Sequence, residues 1–381
     1  MRHWLIILIA LSLLNGCGLF GGGDNSEPPA KLVEFEPTIH IAPEWFRDTG
    51  NGTGKYYLQL NPYYQDGTIY LVDDKGQVSA FNINKGKRLW KANFKLPVTG
   101  GLNGGEGVLV FGTATGEVVA LSQEDGKQLW RVPVSSEVMS VAPVSLDVVV
   151  IRTNDGKLYG LSKASGSLLW QAGRKTPALS LRGMSVPLVT RGAAIVGFDS
   201  GKLTAVTLQQ GAVAWEASVS VPRGRSELDR MVDIDGLYEE RDGVIYVATY
   251  QGRLAAINLQ NGSVIWSRKM SSFTGLMLDG ANLYLTDEFS NVWAIDGQSG
   301  ATLWKQPALR MRMITAPAVI DRYVVVADYQ GYLHWMDKYE GFFVARVQSD
   351  DEGVLTAPLV IDDRVIMLGK SGELTSWKVW K

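Results

Sequence analysis

Two carboxylates one residue apart, Asp233-Ile234-Asp235 followed by Gly236, are the nearest approach to a metal loop in this 381-residue chain. A calcium loop repeats its carboxylates at alternate positions and closes with a distal Glu, because Ca2+ needs a shell of several oxygens. Met231 and Val232 stand where the preceding ligand would have to be, so the pair is not a calcium loop by itself. The histidines are His3, His40 and His334, too scattered for a zinc or iron constellation. His334, next to Trp335 in an apolar run, reads as a packed strand residue. Gly105-Glu106-Gly107 and Gly21-Gly22-Gly23 lack the strand-to-helix setting that lets a glycine loop cradle phosphate. The residue pattern gives catalysis no seat, and no cofactor or metal is expected.

The one cysteine has a different use. Arg2 and His3 precede a short apolar run, Trp4 to Leu14, which has the form of a secretory signal and is too short to span a bilayer. The run ends at Leu14-Asn15-Gly16-Cys17, which resembles a lipobox, and a lone thiol directly after a signal core is best explained as a lipidation site. Residues 1–16 are therefore expected to be a signal peptide. Cys17 is expected to carry lipid, and residues 17–36 to form a flexible tether through the Gly21 to Pro29 stretch. Gly18 rather than Asp after the cysteine points to the outer membrane, periplasmic face. The formal charge of −2, 37 basic against 39 acidic side chains, excludes the dense positive surface that nucleic acid requires.

The rest of the chain repeats. Gly-x-(Val/Leu)-x-(Ala/Gly)-apolar is followed by a second Gly ten residues after the first and by Trp at fourteen. Clear copies are Gly76/Gly86/Trp90, Gly116/Gly126/Trp130, Gly156/Gly166/Trp170, Gly201/Gly211/Trp215 and Gly252/Gly262/Trp266. A sixth copy has Ser290, Gly300 and Trp304. The seventh has Gly331 and Gly341 with Ala345 at the Trp position, and the eighth begins at Gly372. Each unit reads as four short strands, plainest at Ile314–Ile320, Tyr323–Asp328, Tyr332–Asp337 and Phe342–Gln348. Four strands per repeat of about 40 residues predict an all-β propeller of antiparallel blades. Trp45 stands as far before Pro62 as Trp170 before Pro187, so an N-terminal strand should complete the eighth blade and close the ring. Residues 37–381 are thus expected to be one eight-bladed domain.

The Ala120 to Trp130 element resembles the tryptophan-docking repeat of quinoprotein propellers. The chain as a whole resembles the BamB lipoproteins of the β-barrel assembly machinery. Leu179-Ser180-Leu181-Arg182-Gly183-Met184-Ser185-Val186-Pro187 and Glu227-Leu228-Asp229-Arg230-Met231-Val232-Asp233-Ile234-Asp235 carry most of that resemblance. It implies a scaffold that binds the periplasmic domains of BamA and, through it, the other Bam lipoproteins, and that aids insertion of outer-membrane proteins. It also implies that Leu179, Leu181, Arg182, Asp233 and Asp235 are the BamA-binding positions, with the two aspartates either meeting the partner's basic side chains or holding Arg182.

Spacing points to the same place by a separate route. Successive repeats are 40, 40, 45, 51, 38, 41 and 41 residues apart. The two long intervals put extra residues in adjacent connections on one face of the disc, where repeat proteins bind partners. In an extended segment Leu179 and Leu181 share a side, and apolar side chains beside an arginine are the usual make-up of an interface hot spot. The Arg310-x-Arg312 pair, two connections further on, reads as solvated surface charge. Two other functions compete. A quinoprotein dehydrogenase would need PQQ, calcium, a catalytic Asp and in many cases a vicinal disulfide, which one cysteine cannot form. A general periplasmic chaperone would bind nascent outer-membrane strands by edge addition.

Overall fold

The spacing of Gly and Trp is explained by where one blade meets the next. In a computed structural model that describes residues 27–52, 58, 60–173, 185–226 and 228–380, the chain is an eight-bladed propeller. Blades 1 to 7 occupy residues 63–93, 98–133, 138–173, 188–218, 239–269, 276–306 and 318–348, each a four-stranded antiparallel sheet in chain order. Blade 8 takes three strands from 359–380 and its outermost strand from His40–Asp48, which pairs antiparallel with Glu373–Trp380. The ring therefore closes through an N-terminal strand containing Trp45, as its spacing predicts. Closure by a strand remote in sequence leaves no sheet edge open between the first and last repeats.

Each outer-strand Trp locks its blade to the following one. The indole Nε1 groups of Trp45, Trp90, Trp130, Trp170, Trp215, Trp266 and Trp304 donate to the backbone carbonyls of Ile83, Gln123, Lys163, Leu208, Leu259, Gly297 and Lys338 at 2.6 to 3.2 Å. Their rings lie flat on the second glycine of the next repeat. A Cβ on Gly211 would come within 2.4 Å of the Trp170 ring, and one on Gly262 within 2.6 Å of Trp215. Both glycines also have positive φ, at 64° and 72°, so the position forbids a side chain twice over. Gly262→Ala should therefore lower stability by about 2 kcal/mol, measured as a shift in urea midpoint. No change would mean that the Trp215 contact is not a tight one.

Blade interiors are aliphatic. Val148 to Ile151 and Val324 to Ala327 are fully buried, as second strands packed on both faces must be. The inner strands are shorter than their apolar runs suggest. In blade 7 the strand is Ala318–Ile320, because Pro317 before it has no N–H to give the ladder. Pro62, Pro187 and Pro358 likewise stand directly before inner strands.

One junction departs from this scheme. Blade 7 has Ala345 where the other blades have Trp, and residues before the closing strand cover the gap. Thr38 N–H donates to Val344 O at 2.9 Å, Phe35 stacks on Phe343 at 5.5 Å, and Leu32 packs into the blade 6–7 core. The expected tether thus needs correcting at its C-terminal end. From Glu27 onward it is a docked arm, because its apolar side chains and backbone carbonyls find partners on blade 7.

Candidate functional site

In an antiparallel blade the hairpin between strands two and three and the connection to the next blade fall on one face of the disc, here called the upper face. The hairpins between strands one and two and between three and four fall on the lower face. The longer intervals fall between the Gly173 end of blade 3 and the Leu188 start of blade 4, and between the Ser218 end of blade 4 and the Glu239 start of blade 5. Both are upper-face connections, as the spacing requires.

An arginine organises the ground between them. Arg152 is the penultimate residue of the second strand of blade 3, Val148–Thr153, and is 4% exposed. Its Nη1 donates to Ser185 Oγ at 3.2 Å, and its Nη2 is ion-paired with Asp199 in the adjacent hairpin of blade 4. The guanidinium lies 6.0 Å over the Phe198 ring. Ser185, the first described residue after the segment 174–184, is also tied to blade 3, since Ser140 Oγ donates to its carbonyl at 3.0 Å. The connection into blade 5 threads in beside this cluster. Ile234 N–H donates to Phe198 O, Tyr250 N–H donates to Asp233 O at 2.9 Å, and Ile234 packs against Gly197 so closely that a Cβ there would clash.

That anchoring decides the state of the two aspartates. Asp233 is fully buried and Asp235 is 9% exposed, so neither is a solvated surface charge. Among the described residues neither carboxylate oxygen of Asp235 has a hydrogen-bond partner. Burial pushes its pKa up to about 8, and the neighbouring charges of Asp233 and Asp199 add to the rise against the pull of Arg152. The site therefore holds a carboxyl group that is costly to ionise until a cation or donor reaches it.

Of the positions expected to form the site, Asp233 and Asp235 are brought together with Arg152, Asp199 and Ser185. Leu179, Leu181 and Arg182 lie outside the described residues, as does Cys17. Arg152 was not anticipated, although an arginine closing the buried run Val148-Val149-Val150-Ile151 is a visible signal. The reading of Arg310-x-Arg312 as solvated charge is corrected for Arg312, while Arg310 stays at the surface with its side chain 40% exposed. Arg312 is 3% exposed and paired with buried Asp328 at 2.6 Å, and Arg310 is clamped to Glu27 by two 2.6 Å hydrogen bonds. His334 is buried within its strand, between Asp328 and Arg346. Among the described residues no group of three or more His, Cys, Asp or Glu is placed to hold a metal ion.

Comparison with known proteins agrees with this architecture over the whole chain. A family model described as outer membrane protein assembly factor BamB matches residues 74–306 and 291–378. The protein of that name from Pseudomonas aeruginosa is 45% identical over 378 residues, 99% of each chain. The crystal structure of BamB from Moraxella catarrhalis superposes with a TM-score of 0.82 at 26% identity, covering 89% of this chain and 100% of that one. A europium-containing methanol dehydrogenase reaches a TM-score of 0.73 at 10% identity over 89% of this chain and 93% of its own, a likeness of fold alone. Blade count, ring closure, the Trp–Gly locks and near-full-length identity converge, and the chain belongs to the BamB family of outer membrane protein assembly factors.

Proposed function

We propose that this protein is a non-enzymatic scaffold of the β-barrel assembly machinery, anchored by lipid on Cys17 to the periplasmic face of the outer membrane. On this reading it docks the periplasmic domains of BamA and so aids folding and insertion of outer-membrane β-barrels. The observation that carries the reading is the upper-face cluster. Two extended connections meet at a buried Arg152–Asp199 pair, beside an Asp235 whose carboxylate oxygens have no hydrogen-bond partner among the described residues. A folded surface that keeps a carboxyl group in that condition gains from a partner that supplies the missing donor. Leu179 and Leu181 would provide the apolar contact and Arg182 the directional one, with Asp233 and Asp235 receiving the partner's basic side chains or holding Arg182. The likeness to the dehydrogenase is one of fold.

A photo-crosslinking residue at Leu181 tests this reading in cells. One discrete adduct with BamA is the expected product. A smear of many outer-membrane barrel proteins would replace docking with general chaperoning of nascent strands.

A further inference from the structure

The arm from Glu27 to Thr38 is held by a built receptor on blade 7. Buried Asp328 accepts from Arg312 Nε at 2.8 Å and contacts His334 Nε2 at 2.9 Å. Arg346 Nε donates to His334 Nδ1 at 3.2 Å, so that Nε2 carries the proton given to Asp328. This fixes both guanidinium groups. Arg312 Nη1 then donates to Ala30 O, and Arg346 Nη1 to Val33 O, each at 3.0 Å. Arg346 also lies against the stacked pair Phe35 and Phe343, 5.0 and 5.7 Å from their ring centroids. At the far end Ala30 N–H donates to Arg310 O at 2.9 Å, and Glu27 takes the Arg310 fork.

The arm has a direction. Glu27 and Ala30 meet the upper-face connection between blades 6 and 7, whereas Phe35 and Thr38 meet the start of the outer strand Phe343–Gln348, near the lower face. The chain therefore arrives at the propeller on the upper face and runs down blade 7 before closing the ring. Ten residue steps separate Cys17 from Glu27, a reach of about 35 Å at most.

We propose that this arm moors the propeller to a phospholipid surface with its upper face toward the headgroups, the edge at blades 6 and 7 being nearest. The proposal rests on the reading of Cys17 as lipidated. An arm free from Cys17 to His40 would let either face approach the bilayer. Docking at Glu27 shortens the free tether from twenty-three residue steps to ten and starts it on the upper rim, so the upper face can lie on the bilayer with the tether slack, whereas the lower face can do so only with the tether drawn across the thickness of the disc. The arm thereby puts the anchor and the candidate partner site on the same face, so a partner standing on the same membrane meets that face.

The test uses the full-length acylated protein on phosphatidylethanolamine/phosphatidylglycerol vesicles carrying acceptor-labelled headgroups. Donor dyes are attached through Glu352→Cys, in the upper-face connection after blade 7, or through Glu340→Cys, in its lower-face hairpin. Energy transfer should be several-fold stronger from position 352 than from 340. Combining Glu27→Lys, Leu32→Ser and Phe35→Ala, all on the arm, should abolish the difference, with hydrogen exchange at residues 30–38 reporting release and exchange in blade 7 strands confirming the fold. Equal transfer in the native-arm protein, or stronger transfer from 340, overturns the mooring. If mass spectrometry finds Cys17 without acyl chains, the lipidation reading fails and the mooring fails with it. If Cys17 is acylated and transfer is equal, the mooring alone fails.

Discussion

Replacing Asp235 by Asn should make the protein more stable at pH 8, by up to about 5 kcal/mol, and leave it nearly unchanged at pH 4. The sign follows from the raised pKa. In the unfolded chain the carboxyl ionises near 3.8, while in the folded protein it keeps its proton up to about 8. Stability from the protonated form is complete below the unfolded value and is lost as pH rises through the interval, at about 1.4 kcal/mol per pH unit. Asparagine has the same shape and no proton to lose, so its profile should lack this slope. The figure is an upper bound, because part of the rise comes from the charges of Asp233 and Asp199 and not from burial of Asp235 alone. Urea midpoints of both proteins between pH 4 and pH 8 provide the check. Parallel profiles would mean that Asp235 is already satisfied in the free protein, which is the outcome expected if its role is to hold Arg182. Diverging profiles favour an aspartate kept for the partner. The two roles left open by the residues themselves thus have different pH signatures.

The other large effect concerns binding. Leu181→Ala combined with Arg182→Glu should weaken binding to the periplasmic domains of BamA by about a thousandfold, from the ~2 kcal/mol of each hot-spot residue. Charge reversal adds repulsion to the loss of contact. In sequence both fall between the last strand of blade 3, which ends at Gly173, and the first strand of blade 4, which begins at Leu188. Circular dichroism and thermal unfolding should therefore match those of the parent. Calorimetric titration gives the affinity, and unchanged affinity in a folded variant would remove these residues from the interface while leaving the propeller intact.

The fold was legible because one pair of residues does two jobs. Gly at the third hairpin satisfies a positive φ and also receives the indole of the preceding blade, so the spacing cannot drift without losing both. Even the irregular ends were readable, since Trp45 keeps the spacing to Pro62 that Trp170 keeps to Pro187. The site was legible in part. Interval lengths locate the connections, but they carry no information about burial, so the sequence left Asp233 and Asp235 with two open roles, meeting a partner's basic side chains or holding Arg182. Their burial depends on Ile234 docking against Gly197 and on Arg152 arriving from another blade, which are contacts between residues distant in sequence. The arm was the least legible feature. Glu27-Pro28-Pro29 has a linker's composition, and the clamp grips backbone carbonyls of Ala30 and Val33, which leave no trace in side-chain identity. Its one signature was the short apolar cluster Leu32, Val33 and Phe35 among charged neighbours, too short to stand out from a tether.

The hydrogen-exchange footprint of this protein with and without the periplasmic domains of BamA bears most directly on the docking face. Protection confined to segments 174–187 and 219–238, together with the hairpin around Asp199, is the pattern expected if the upper face at blades 3 to 5 receives the partner. Protection instead in the lower-face hairpins, such as those at Gly211 and Gly262, would contradict it.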